Sequence, residues 1–124
     1  MSVPILKQGD YLIASIQSAL TDTEVLHLRD ELASHVGRHR SRGIVIDVAA
    51  LDVIDSFVAR SLREIALTAR LRGAETVIVG IQPDVAVAMV QFELNLDPLH
   101  TALDLEEGLT VLRRAFEERK SVGV

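Results

Sequence analysis

The 124-residue sequence contains no cysteine. That excludes disulfides, thiolate metal sites and cysteine nucleophiles. Aromatic residues are scarce, at 3% with no tryptophan, so a stacking surface for bases or sugars is not expected. Long apolar runs are missing too. The longest stretch without Asp, Glu, Lys or Arg covers residues 11–21, eleven in all, whereas a membrane-spanning helix needs about 20. The opening Met-Ser-Val-Pro-Ile-Leu-Lys has no basic region ahead of an apolar one, and so does not read as a signal peptide. Positive charge is also short. Thirteen Lys and Arg against 18 Asp and Glu leave a net −5, and phosphate-backbone binding needs clustered positive charge. Neither a nucleic-acid nor a membrane partner is therefore expected.

What is present is a globular composition. Apolar residues make up 48% and charged residues 25%, which excludes extended disorder. A chain of this size buries about two-thirds of its unfolded surface. No repeat, linker or low-complexity tract divides it. The expectation is a single domain over residues 1–124, with residues 120–124 fraying.

Residues 5–8 and 11–16 read as short strands, with Gly9-Asp10 as the turn between them. Thr21-Asp22-Thr23-Glu24 matches a capping box, which accounts for both threonines as cap residues. Val25, Leu28, Leu32 and Val36 follow at helical spacing, and Gly37 or Gly43 is placed to end that helix and its exit loop. Residues 44–48 are a β-branched run suited to a strand buried on both faces. A helix is predicted over residues 56–72, with Val58, Leu62, Ile65, Ala66 and Ala69 on its core face and Gly73 as its cap. Residues 76–81 form another buried strand, and Pro83 opens a short helix to about Phe92. A weaker strand covers 99–103. Asp104-Leu105-Glu106-Glu107 starts a last helix with Leu105, Leu109, Leu112 and Phe116 on one stripe. The order ββαβαβαβα predicts an α/β domain: a mainly parallel, mixed sheet of about five strands with about four helices, and the opening hairpin as an antiparallel edge.

Chemistry in open α/β sheets collects beyond the carboxyl ends of the strands. Here that place is Ala49-Ala50-Leu51-Asp52-Val53-Ile54-Asp55-Ser56-Phe57. Ser56 and Asp55 both suit the N-cap of the following helix. A functional reading is also open: Ser56 as a phosphorylation site. A phosphate would add about −1.5 to −2 charges, facing unpaired helix N–H groups, within reach of Arg60 and repelled by Asp55. At 100° steps Phe57, Arg60, Glu64, Leu67 and Leu71 fall opposite the core stripe. Such a mixed face suits a partner surface, although isolated exposed leucines are common.

Other chemistries fit poorly. A phosphorelay receiver needs an acidic pair near the first parallel strand and a late lysine. Residues 16–19 are Ile-Gln-Ser-Ala, and the only lysines are Lys7 and Lys120. Ser56 lacks the Gly-x-Ser-x-Gly elbow. His27, His35, His39 and His100 form no His-Glu-x-x-His pattern, and no glycine-rich phosphate loop is present. No metal, cofactor or enzymatic activity is expected. Arg38-His39-Arg40-Ser41-Arg42 is the one basic cluster, read as a solvated helix C-terminus complementing the helix dipole. Residues 85–90 are apolar nearly all round, suited to sheet packing or to self-association.

Two stretches carry a resemblance: Ile54-Asp55-Ser56-Phe57-Val58-Ala59 and Gly80-Ile81-Gln82-Pro83-Asp84-Val85-Ala86-Val87. With the order of elements, they make the chain resemble a STAS domain, and in particular the RsbS-type antagonist scaffold of the bacterial stressosome. The resemblance implies a non-enzymatic protein in a large cytoplasmic complex with longer co-antagonist STAS proteins. It implies that the complex holds a serine/threonine switch kinase, that phosphorylation of Ser56, flanked by Asp55 and Phe57, releases the kinase, and that a phosphatase resets the site. Many antagonists of the wider family carry Ser or Thr and then Gly where this chain has Phe57 and Val58. That favours the scaffold branch over the alternatives, a simple anti-sigma-factor antagonist that binds an anti-sigma kinase or a passive interaction module without phosphorylation.

Overall fold

The computed structural model describes residues 3–122, with side chains as far as Arg119. Its nine elements follow the expected order: β1 (Ile5–Gln8), β2 (Tyr11–Ser15), α1 (Asp22–His39), β3 (Gly43–Asp47), α2 (Ser56–Leu71), β4 (Glu75–Val79), α3 (Pro83–Gln91), β5 (His100–Ala102) and α4 (Leu105–Val122). They build one five-stranded sheet in the order β1-β2-β3-β4-β5. β1 runs antiparallel to β2, through a turn where Gly9 takes a φ of 59°; the other three pairings are parallel.

Alternation along the strands divides the core in two. Leu12, Ala14, Ile44, Ile46 and Ile78 point to one side, where α1, α2 and α3 bring Leu28, Leu32, Leu62, Ile65, Val85 and Met89. Ile13, Val45, Val77 and Val79 point to the other and meet Leu112 of α4. This follows from topology. Each parallel crossover joins neighbouring strands in one direction, and crossovers are right-handed, so their helices share a face. Among the described elements only α4, which follows β5, covers the second face.

Helix ends follow local chemistry with some departures from expectation. Thr21 and Glu24 form the complete reciprocal capping box of α1. Gly37 does not end that helix. α1 continues to His39 and closes on Arg40 in the left-handed region, φ 49°. Gly37 instead gives room to the Arg72 guanidinium, which a Cβ at that position would meet. Val58 of α2 is half-buried against the core rather than inside it. On α4 the buried line is Gly108, Leu112 and Ala115, with Leu109 and Phe116 beside it, and Leu105 is exposed. The helix lies so close to β4 that a Cβ on Gly108 would come within 2.7 Å of Val79. The glycine, invisible to a hydrophobic count, thus rotates the contact stripe away from Leu105. The expected fraying concerns residues 120–124, of which 120–122 continue α4. Residues 117–122 contain no helix breaker, and α4 runs through Val122; Gly123 and Val124 lie outside the described residues.

Candidate functional site

Residues 48–55 leave the carboxyl end of β3 and form a platform rather than a loose loop. The Asp47 carboxylate accepts from the Ala49 amide at 2.9 Å, and the Leu51 amide donates to the Val48 carbonyl at 2.9 Å. Leu51 and Ile54 are buried and pin the segment to the core. From the far side of β4, Gln82 donates to the Ala49 carbonyl at 2.8 Å and contacts the Asp52 carboxylate at 3.5 Å. Gln82, from the Gly80–Val87 stretch, is thus bound to the loop that leads into the Ile54–Ala59 stretch.

This platform delivers Ser56 to the first position of α2. The N-cap is Asp55, whose carboxylate accepts from the Val58 amide at 2.8 Å. Of the two candidate caps the structure uses Asp55 alone, because Asp55 stands immediately before the helix while Ser56 is already inside it. Ser56 is the first helical residue; it is exposed, and its hydroxyl makes no hydrogen bond among the described residues.

Ser56 also stands at the edge of an open groove of about 430 Å³ between the segment 52–56 and α3. Val53, Ile54, Val85, Ala88, Phe92 and Leu94 line it with apolar surface, and Asp52, Asp55 and Asp84 supply acidic groups around Ser56. Phe92, 75% exposed, and Val53 are large apolar side chains left in solvent. Neither was singled out from the sequence, since a groove formed by a loop and a helix has no single periodicity.

The five residues assigned to the outer stripe of α2 behave differently from one another. Phe57 is half-buried, while Arg60 is exposed with no acidic partner among the described residues. Glu64 is exposed but turns toward α1, where Arg29 contacts it at 3.4 Å. Leu67 is 48% and Leu71 89% exposed, so both are surface leucines. The apolar run of α3 splits: Val85 and Met89 pack inward, Val87 and Val90 outward.

A polar cluster that the sequence reading missed lies at the other end of β4. Glu75 is only 3% exposed. Arg119 of α4 contacts its carboxylate at 2.6 Å, His100 of β5 at 3.1 Å and Arg70 of α2 at 3.2 Å. Burial alone would push this carboxyl up. Hydrogen bonds from Arg70, His100 and Arg119 more than offset that, and hold it below its ordinary value. No group of three or more metal-ligating side chains gathers among the described residues, and no helix there is long and apolar enough to cross a membrane.

Comparison with known proteins agrees with this architecture. The family model of the STAS domain matches residues 2–121. The curated RsbT co-antagonist protein RsbRA of Bacillus subtilis (strain 168) is 26% identical over 99% of the chain, and the chain spans 46% of that relative's length. A structure of Moorella thermoacetica RsbS bearing a serine-to-glutamate substitution is 39% identical, with a TM-score of 0.76, over 91% of this chain and 96% of that one. A chain from a structure of the stressosome, described as a signal integration and transduction hub, is 38% identical, with a TM-score of 0.71, over 90% of this chain and 97% of that one. The chain belongs to the STAS domain family, and within it is similar over nearly its whole length to the stressosome protein RsbS.

Proposed function

We propose that this chain is a phospho-switched scaffold of a stressosome, holding a serine/threonine switch kinase and releasing it when Ser56 is phosphorylated. The observation that carries the reading is Ser56 itself: an exposed, unbonded hydroxyl at the start of α2, on a pinned platform, beside an apolar groove. It performs no chemistry of its own. The kinase docks against the groove and the outer stripe of α2, namely Phe57, Arg60, Glu64, Leu67 and Leu71. Longer co-antagonist STAS proteins and further copies of the chain complete a large cytoplasmic assembly, with Val87 and Val90 available for self-association. A phosphatase resets Ser56.

The physics of the switch is local. A phosphate on Ser56 adds about −1.5 to −2 charges where Asp52, Asp55 and Asp84 already stand. The helix N-terminus tolerates it, since the dipole there favours an anion. The fold thus survives while the surface facing the partner changes sharply in potential, which weakens binding to a groove that was only moderately acidic.

The test is intact-mass analysis with fragment mapping after incubation with ATP and the switch kinase of the same organism. One phosphate is expected, on Ser56. In titration calorimetry Ser56→Asp should bind the kinase about tenfold more weakly than the parent, an effect of about 1.4 kcal/mol. Equal affinity would overturn the charge switch. An unmodified Ser56, with the kinase shown active on another STAS substrate, would leave a passive binding module.

A further inference from the structure

The amino ends of the parallel strands lie opposite the Ser56 platform, and the basic cluster of the sequence ends there. Its arginines do not simply trail into solvent. Arg40, Arg42 and Arg72, from two separate segments of the chain, line one open cleft of about 550 Å³ with Val36, Gly37 and Ser41. Arg40 and Arg72 have no acidic partner among the described residues, whereas Arg42 contacts Asp10 at 3.5 Å and rests 4.8 Å over the Phe116 ring. Gly37 lets the Arg72 guanidinium lie against α1. Ser41, which lines the same cleft, is 4% exposed, and its hydroxyl has no hydrogen-bond partner among the described residues. A buried polar group without a partner costs free energy that a ligand oxygen would recover.

We propose that this cleft is a binding site for a phosphate-class anion, either a phosphomonoester or a short oligophosphate. Guanidinium forks match tetrahedral oxyanions through paired N–H donors. Three of them around one cleft exceed what a single carboxylate needs, and the Ser41 hydroxyl supplies a further donor. The volume lies within the range of about 300–1,000 Å³ usual for small-ligand sites. In a chain of net charge −5, a cleft with two unpaired arginines is a local inversion of sign that long-range attraction alone does not explain. The cleft itself does not depend on Ser56; the second protein source tested below rests on the phosphorylation proposed there.

Two sources share this chemistry: a free oligophosphate, and a phosphorylated side chain on another protein molecule. Titration calorimetry on the full chain should use inorganic pyrophosphate for the first, and a phosphoserine peptide spanning residues 50–62 of this sequence for the second. Saturable binding of at least one probe is expected, weakening as salt rises. Two substitutions, Arg40→Gly and Arg72→Gln, should each weaken it about tenfold or more. Arg40→Gly is a clean probe, because glycine suits the left-handed φ of 49° that Arg40 now occupies, so lost binding is not lost folding. Ser41→Ala should weaken binding several-fold, with an unchanged thermal melt. Binding of the phosphopeptide alone, with the same arginine dependence, would identify a second protein molecule as the source. Absence of saturable binding by both probes at millimolar concentration and low salt would overturn the proposal. So would binding indifferent to both arginine substitutions.

Discussion

Ser56 and Asp55 are adjacent and chemically alike as helix caps, yet the structure gives them separate tasks. Asp55 holds the Val58 amide; Ser56 holds nothing. Asp55→Ala should therefore cost about 1 kcal/mol, the usual value of an N-cap. Ser56→Ala should move stability by less than about 0.5 kcal/mol. Chemical denaturation of the two variants checks this, and equal losses would mean that Ser56 shares the cap. The sequence marked both residues, because either fits the position before a helix. It could not rank them, since one residue of shift decides which is cap and which is first turn. Glu75 was not legible at all. Its partners come from α2, β5 and α4, and only the folded chain brings them together. Because its carboxyl is held below the ordinary value of 4.5, its contribution is complete above that range and is lost as pH falls through the lowered pKa. Glu75→Gln should cost about 1–3 kcal/mol at neutral pH. The gap to the parent should close in acid, as melts across a pH series will record. A gap that persists unchanged in acid would mean that the charge of Glu75 does not matter.

At the scale of elements, glycine means different things on different helices. Gly37 and Gly108 both lie inside helices, where alanine is intrinsically favoured by about 1 kcal/mol. A Cβ at Gly37 would meet the far end of the flexible Arg72 side chain, which can swing away. A Cβ at Gly108 would meet Val79 at 2.7 Å on the sheet itself. Gly37→Ala should therefore raise stability by up to about 1 kcal/mol. Gly108→Ala should lower it by about 1–3 kcal/mol, the usual cost of overpacking. Thermal melts of the pair give opposite signs if close packing governs α4, and the same sign if propensity does. This contrast also shows why the apolar stripe of α4 was misread. A count at spacings of three and four selected Leu105, Leu109, Leu112 and Phe116, whereas the tightest approach to the sheet is made by a residue with no side chain. The strands and the cap of α1 were legible because β-branched runs and a capping box are local signals. The contact surface of α4 is a property of two elements.

Across the whole molecule the two ends of the sheet differ in character: an acidic rim around Ser56 at one, arginines at the other, with the outer stripe of α2 running between them. The helical wheel placed Leu67 and Leu71 outside correctly, since α2 has one well-covered core face. It could not show that Glu64 pairs with Arg29 of α1. Leu67→Glu and Leu71→Glu should leave the melt within about 0.5 kcal/mol of the parent, while weakening capture of the proposed switch kinase. A normal melt with undiminished kinase capture would remove the stripe from that interface.

The uneven covering of the sheet has a consequence for how the chain is made. Strands β2 to β5 are laid down side by side in the order in which they are synthesised, and each crossover helix closes the first face as it appears. The second face waits. Ile13, Val45, Val77 and Val79 meet their cover only when α4, which follows every strand of the sheet, has left the ribosome. A nascent chain halted after β5 would hold a nearly finished sheet with one greasy side bare, a natural target for a chaperone.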